Sequence, residues 1–397
     1  KGIRIAQQLI AVTPEFHSTN IARMTKKPRS IDRYTKKPGK PYKAVVYFMM
    51  EGGADSFNLL VPLAKCKGKD MYAEYAKARG KNIALSKDKL LDIDATGSDQ
   101  ICDTFGINHN FPILQELYNA NQAIFFANTG IISRPSDKDD YKGQGISIFA
   151  HNHMRKANYE VDPLDKIPET GIGGRILDIL RTHGLQTAAN VVDGSARICK
   201  GNNFYSNPVW HVDTKNSAVI DAYSSVGPNM LNIIKMLNGV GEYGNSFYGD
   251  TWSAKVSQTL YEYEQGLKTE ELVGSGKYSM DEYPYKDGDI DTRFRAVAQQ
   301  MKIRDIKKVN REVYFVEQNG FDHHSENQVG EKFADANDAL SDFIDEMKRQ
   351  KIWENVVIVM GSDFGRSITP NGGGGTDHAW GGNYFMIGGG VNGGKIM

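Results

Sequence analysis

Residues 356–394 read VVIVMGSDFGRSITPNGGGGTDHAWGGNYFMIGGGVNGG. The apolar run Val356–Met360 ends at Gly361. Asp363, Arg366, Asn371, Asp377 and His378 then follow in a glycine-rich loop before apolar residues resume at Tyr384. A short apolar run of this kind is the pattern of a buried strand delivering polar groups to one end of a sheet. Glycines allow close backbone approach and positive φ, so the acidic and imidazole groups can converge on something charged. A metal ion, a phosphate-like group or both suit that set.

Two other segments repeat the design. Ala44–Met50 (AVVYFMM) leads into EGGADSFN, which sets Asp55 just past a strand end with Ser56 and Asn58 close behind. Glu312–Gln318 (EVYFVEQ) leads into Asn319, Gly320, Phe321, Asp322, His323 and His324. Three strand ends thus each present a carboxylate, and two of them add histidine. Ligands of open α/β sheets bind outside the carboxyl ends of the strands, so these loops are predicted to share one site.

Helices are predicted at Tyr72–Ala84, Phe111–Asn119, Thr292–Lys308 and Glu331–Gln350, another buried strand at Gln122–Asn128, and a loop from residue 85 to Gln100. Strands alternating with helices predict an α/β fold, a mixed, mostly parallel central sheet flanked by helices. Residues 1–40 read as an N-terminal arm, amphipathic over Ile3–Val12 and then basic and proline-punctuated. Residues 41–397 read as a single domain. Within it, about 184–290 is less regular, with helix candidates at Ser217–Leu237 and Ser253–Lys268, and reads as a helical insertion or cap.

Lysine plus arginine equals aspartate plus glutamate at 48 each, so no global field argues for a nucleic-acid partner. Hydrophobic residues at 40% suffice for a large core, which argues against disorder as the main state. No apolar run reaches the length of a transmembrane segment. Cys66, Cys102 and Cys199 show no CxxC spacing, which excludes a zinc-thiolate motif and leaves one disulfide with one free thiol open. The first residue is Lys1, and a cleaved export signal would explain that start.

In order, GGADSFNLLVP, INHNFPILQELY with NTGI, IFAHNHM, TGIGGRILD, NGFDHH and SDFGRSITPNGGGGTDHAWGGNYFMIGG resemble the DUF1501 family, mostly exported bacterial proteins of unassigned function. That family is in turn similar to the alkaline phosphatase and sulfatase superfamily. The resemblance implies an alkaline phosphatase-like fold, export to the periplasm, cell surface or medium, and hydrolysis of phosphate or sulfate esters at one or two divalent ions (Zn, Mn or Ca). It assigns Asp322, His324 and His378 to one ion and Asp55 with Asp363 to a second, with Arg366 and Asn371 near the substrate anion. His151 either lines the site or packs. Arg366 either binds an oxyanion through its planar fork or pairs with Asp363 or Asp377 to hold the loop.

Two departures stand out. Phe364 occupies a position where the phosphatases commonly carry a histidine. Ala150 stands where family members often read serine, which leaves direct attack by water if the chain is an enzyme. The family also continues past Lys395. A non-catalytic binding or structural protein of the cell surface, taking a surface ligand or assembling with its own copies, is the alternative on the same scaffold.

Overall fold

The structure is a computed structural model that describes residues 2–13, 39–137, 139–162, 170–192, 196–201, 209–212, 228–238, 276–284, 286–326 and 328–397, with Trp252, Ser253, Val256 and Leu260. Its strands are β1 (Lys43–Met50), β2 (Leu60–Cys66), β3 (Leu90–Asp94), β4 (Cys102–Asn108), β5 (Ala123–Thr129), β6 (Thr187–Val192), β7 (Val209–Val212), β8 (Arg311–Gln318), β9 (Val356–Ser362), β10 (Gly365–Arg366), β11 (His378–Ala379), β12 (Gly382–Ile387) and β13 (Lys395–Ile396). Its helices are α1 (Gly2–Ala11), α2 (Met71–Ile83), α3 (Pro112–Asn119), α4 (His151–Glu160), α5 (Ile172–Thr182), α6 (Pro228–Leu237), α7 (Asp289–Lys302), α8 (Arg304–Lys307) and α9 (Val329–Arg349).

Eight of the described strands form one sheet in the order β13-β5-β12-β9-β1-β8-β6-β7. From β9 to β7 every pairing is parallel, and β12 alone runs antiparallel to its neighbours β9 and β5. The mixed, mostly parallel sheet is therefore the one expected. Period-two alternation along β1 divides its side chains between two cores. Val46, Phe48 and Met50 join Phe294 of α7 and Phe343 of α9 on one face. Tyr47 and Met49 join Phe315, Leu177 of α5 and Tyr159 of α4 on the other. Parallel neighbours and the helices beyond them bury the carboxyl half of β1 on both faces, whereas Val45 nearer its start is 38% exposed.

Two expectations need correction. Residues 85–100 contain β3, which pairs with β4, itself paired with β2, in a separate three-stranded antiparallel sheet. The alternation Leu90, Asp92, Asp94 against Leu91 and Ile93 is short and half-polar, so it reads as loop until β4 supplies its partner. Within the expected insertion, β6 lies between β8 and β7 in the central sheet and is buried along its whole length. Its small residues Ala188, Ala189 and Asn190 hid a strand that packs tightly against its neighbours. The candidates Ser217–Leu237 and Ser253–Lys268 fall mostly outside the described residues, apart from α6, as does the basic part of the arm. Cys66 and Cys102 face each other across β2 and β4 and are joined by a disulfide, and Cys199 is a buried free thiol. Among the described residues no helix is long and apolar enough to cross a membrane.

A buried polar cluster closes the amino end of the sheet. Glu312, 2% exposed at the start of β8, accepts hydrogen bonds from the hydroxyls of Tyr42 (2.8 Å) and Tyr314 (2.9 Å) and from Asn190 Nδ2 (3.0 Å), and it pairs with Lys307 of α8. Burial pushes the Lys307 ammonium below its ordinary value while Glu312 pulls it up. Removing one partner of such a pair leaves the other buried without its counter-charge. Glu312→Ala is accordingly expected to lower stability by about 3–5 kcal/mol in urea denaturation, and Glu312→Gln, which keeps one of the two acceptor oxygens, by less.

Candidate metal centre

At the opposite end of the sheet the loops after β1, β8 and β9 meet, joined by the two-stranded β10–β11 hairpin and the first residue of α4. In the hairpin Arg366 pairs with His378 across the antiparallel register, so the glycine-rich segment 367–377 is the hairpin's own loop. Gly52 has a φ of +116°, and a Cβ there would come 2.6 Å from the Asp322 backbone nitrogen. Only glycine lets the β1 and β8 loops approach this closely.

Three imidazoles surround the Asp322 carboxylate. His378 Nδ1 sits 2.8 Å from the Phe149 carbonyl oxygen, an acceptor, so this nitrogen carries the proton and Nε2 keeps a bare lone pair. His324 Nδ1 faces the Asp377 carboxylate at 3.3 Å, and His151 Nδ1 faces Asp363 at 2.6 Å, which sets the same tautomer in both rings. The free Nε2 atoms point inward: those of His324 and His378 lie 3.0 and 3.3 Å from Asp322 Oδ1, and that of His151 lies 3.6 Å from Oδ2. The Nε2 atoms of His324 and His378 are only 2.9 Å apart. Donor atoms of His151, Asp322 and His378 fall within 4.8 Å of one another. Lone pairs this close to each other and to a carboxylate repel, and a cation between them turns the repulsion into ligation.

Phe364 forms the floor of the cluster. Its buried ring lies 4.7 Å from that of His151 and 4.4 Å from that of His378, centroid to centroid. Here the position offers packing in place of a ligand. Ala150 is the residue before α4, and no side chain caps that helix start; a serine there would offer an oxygen to the first-turn N–H groups.

The remaining expected residues occupy supporting positions. Arg366 is fully buried, and its guanidinium donates to the carbonyls of Gly53 (2.8 Å), Gly52 (2.7 Å) and Thr376 (2.8 Å) and to Asp322, with Phe321 O and His324 Nε2 at 3.4 Å. Of the two readings open for it, this geometry is the loop-holding one, although its charged partner is Asp322. Asn371 donates to the His324 carbonyl (2.9 Å) and to Asp377 (3.0 Å), and its side-chain oxygen accepts from the N–H groups of Gly373 and Gly375. Its amide organises the loop behind His324.

Asp55, 0% exposed, is ion-paired with the equally buried Arg79 of α2, whose other nitrogen donates to the Ser367 and Ile368 carbonyls at 3.2 Å. Asp363 stands behind His151, with Arg155 Nε 3.4 Å from the same oxygen, and Arg155 also reaches Glu51 at 2.9 Å. Sequence patterns did not point to Arg79, Arg155 or Glu51. For Arg155 a signal existed: it follows His151 by four residues and so shares its helix face. Arg79 gives no such sign.

The carboxylates titrate in opposite directions. Burial resists ionisation of Asp322, but the hydrogen bond and charge of Arg366 oppose it, and the pKa lies below the ordinary 3.8. At Asp363 burial prevails over the His151 hydrogen bond and the Arg155 charge, and the pKa is raised. Asp377 is lowered, first by its hydrogen bond from Asn371.

Residues 269–397 match the model of a family described as "Protein of unknown function (DUF1501)", in agreement with the resemblance of the motifs in that third of the chain. No curated protein matches the sequence. Similar solved structures include a protein in the alkaline phosphatase superfamily from Vibrio parahaemolyticus, at 12% identity over 98% of this chain and 70% of that one, TM-score 0.37. Another is the C-terminal periplasmic domain of EcEptC from Escherichia coli, at 9% identity over 90% of this chain and 75% of that one, TM-score 0.34. A third is the lipoteichoic acid synthase LtaP from Listeria monocytogenes, at 9% identity over 91% of this chain and 62% of that one, TM-score 0.29.

Carboxyl-carbon NMR titration in the presence of chelator checks the electrostatics. The Asp322 midpoint is expected below the ordinary aspartate value and the Asp363 midpoint above it. Asp322 then contributes stability above its unfolded-state pKa that is lost as pH falls through the folded value. The Asp363 contribution is present below its unfolded-state pKa and is lost as pH rises through the folded value. Midpoints in the reverse order would show that the Arg366 contact does not govern Asp322.

Proposed function

We propose that this chain is an exported, metal-dependent hydrolase of anionic esters, phosphate or sulfate, whose ion is held by Asp322, His324 and His378 with His151. The observation that carries the reading is the convergence of three imidazole Nε2 atoms on one carboxylate, each ring anchored through its far nitrogen. Such outer partners fix the tautomer and raise ligand basicity, and they are the usual second layer of a histidine metal site. A set of imidazoles with one carboxylate suits zinc better than calcium, which prefers oxygen alone.

When bound, the ion supplies Lewis-acid stabilisation of the negative charge that develops on the ester oxygens. The chain's own residues do the rest. Phe364 packs against two of the rings and limits their rotation. The amino end of α4 meets the centre at His151, and a helix start carries partial positive charge and outward N–H groups that favour an anion. With Ala150 before that helix there is no hydroxyl at this point to form a covalent ester, so the reaction uses water directly. The Cys66–Cys102 disulfide fits an oxidising compartment and supports export.

Ala150 also favours a second reading, a cell-surface protein that holds the ion without turnover. Elemental mass spectrometry of the purified protein, followed by assays on aryl phosphates and sulfates, separates the two. Near-stoichiometric zinc that is lost in an Asp322→Ala, His378→Ala double variant, together with zinc-dependent turnover, is the expected result. Asp377→Asn, which loosens His324, is expected to weaken zinc binding roughly 10- to 100-fold. Bound zinc without turnover of any ester moves the conclusion to the second reading, and a protein that takes up no metal overturns both.

A further inference from the structure

The two carboxylates that the family resemblance assigns to a second ion are Asp55 and Asp363, and the geometry gives each of them an arginine. Asp55 and Arg79 form an ion pair with neither side chain in contact with solvent. Arg79 is tied further to the Ser367 and Ile368 carbonyls, so it cannot swing aside without opening the segment that follows β10. Asp363 gives one oxygen to His151 and Arg155, and its Oδ1 is buried with no hydrogen-bond partner. Phe364 adds no donor. A divalent cation takes four to eight ligands, and Asp363 itself has only Oδ1 outside its contacts with His151 and Arg155.

We infer that the centre holds one divalent ion, not two, and that Arg79 and Arg155 serve as fixed cations where a second ion would otherwise balance Asp55 and Asp363. Charge points the same way. Asp55, Asp322, Asp363, Asp377 and Glu51 carry five negative charges, and Arg79, Arg155 and Arg366 carry three positive ones. With neutral imidazoles two negative charges remain, and one divalent ion cancels them. A second ion would leave the pocket with two unbalanced positive charges at low local dielectric, where such an excess is costly. The two arginines are thus positioning residues: they set how many ions bind without touching the substrate.

This inference rests on the metal-site reading above, and zinc stoichiometry distinguishes their failures. Equilibrium dialysis of the full chain against saturating zinc, read by elemental mass spectrometry, is expected to give one ion per chain. Two per chain overturns the inference and leaves the metal site standing, whereas none overturns both. Two variants probe the arginines. Asp55→Asn is expected to leave zinc affinity nearly unchanged in chelator competition while lowering the unfolding midpoint, and a loss of about tenfold or more would make Asp55 part of the metal shell. Arg155→Met changes a partly exposed side chain and frees Glu51 and Asp363, so its stoichiometry is expected to rise towards two. A count that stays at one in that variant overturns the role given to Arg155. Should Asp55→Asn fail to fold, the wild-type count and the Arg155→Met count decide.

Discussion

The buried guanidinium of Arg366 is the constraint on which the carboxyl end of this sheet depends. It cannot be deprotonated, and a buried charge without partners costs several kcal/mol. Three separate segments therefore have to bring acceptors to it: Gly52 and Gly53 after β1, Phe321 and Asp322 after β8, and Thr376 in the hairpin loop. This requirement explains the glycines better than a phosphate-binding role does. Gly52 lets the first two segments touch, and a Cβ at Gly375 would come 2.4 Å from the His324 carbonyl carbon. Asp322 and His378 are where they are because Arg366 and its hairpin hold them.

Much of the sheet was legible because burial on both faces leaves a strong mark. Each of β1, β5, β8 and β9 has an unbroken apolar stretch at its centre, and polar residues cluster after three of them at the carboxyl end of the sheet. Strands whose character comes from their partner left no such mark. β3 mixes aspartate with leucine, and β6 opens on threonine and alanine, so neither shows until β4 or β8 lies beside it. The site divides along a similar line. Asp322, His324 and His378 stand in compact motifs and do come together, and His151 joins them from 171 positions before Asp322 in the chain. The residues behind them were not legible. A carboxylate after a strand has the same local sequence whether it faces an ion or an arginine, and the difference at Asp55 is made by Arg79, 24 residues away on a helix.

The two ends of the sheet show what separates a structural polar cluster from a candidate site. At the amino end Glu312 has donors for both of its oxygens, from two tyrosines, an asparagine and a lysine, so acceptors and donors match. Such a cluster holds α8 and the entry to β1 in place and has nothing left to bind.

At the carboxyl end the balance is different. The arginines satisfy the carboxylates one by one, Arg79 with Asp55, Arg155 with Asp363 and Glu51, and Arg366 with Asp322. The three imidazoles give their only N–H groups outward, to Phe149, Asp377 and Asp363, and turn lone pairs inward. Beside the Asp363 Oδ1 atom, the surplus of acceptors is thus made by neutral groups gathered around one carboxylate. Neutral nitrogen acceptors attract a soft or borderline cation without the long-range field that a cluster of bare carboxylates would create, and the arginines remove that field nearby. In the proposed single-ion centre, selectivity would depend on how hydrogens are distributed among the residues around the centre as much as on the ligands themselves.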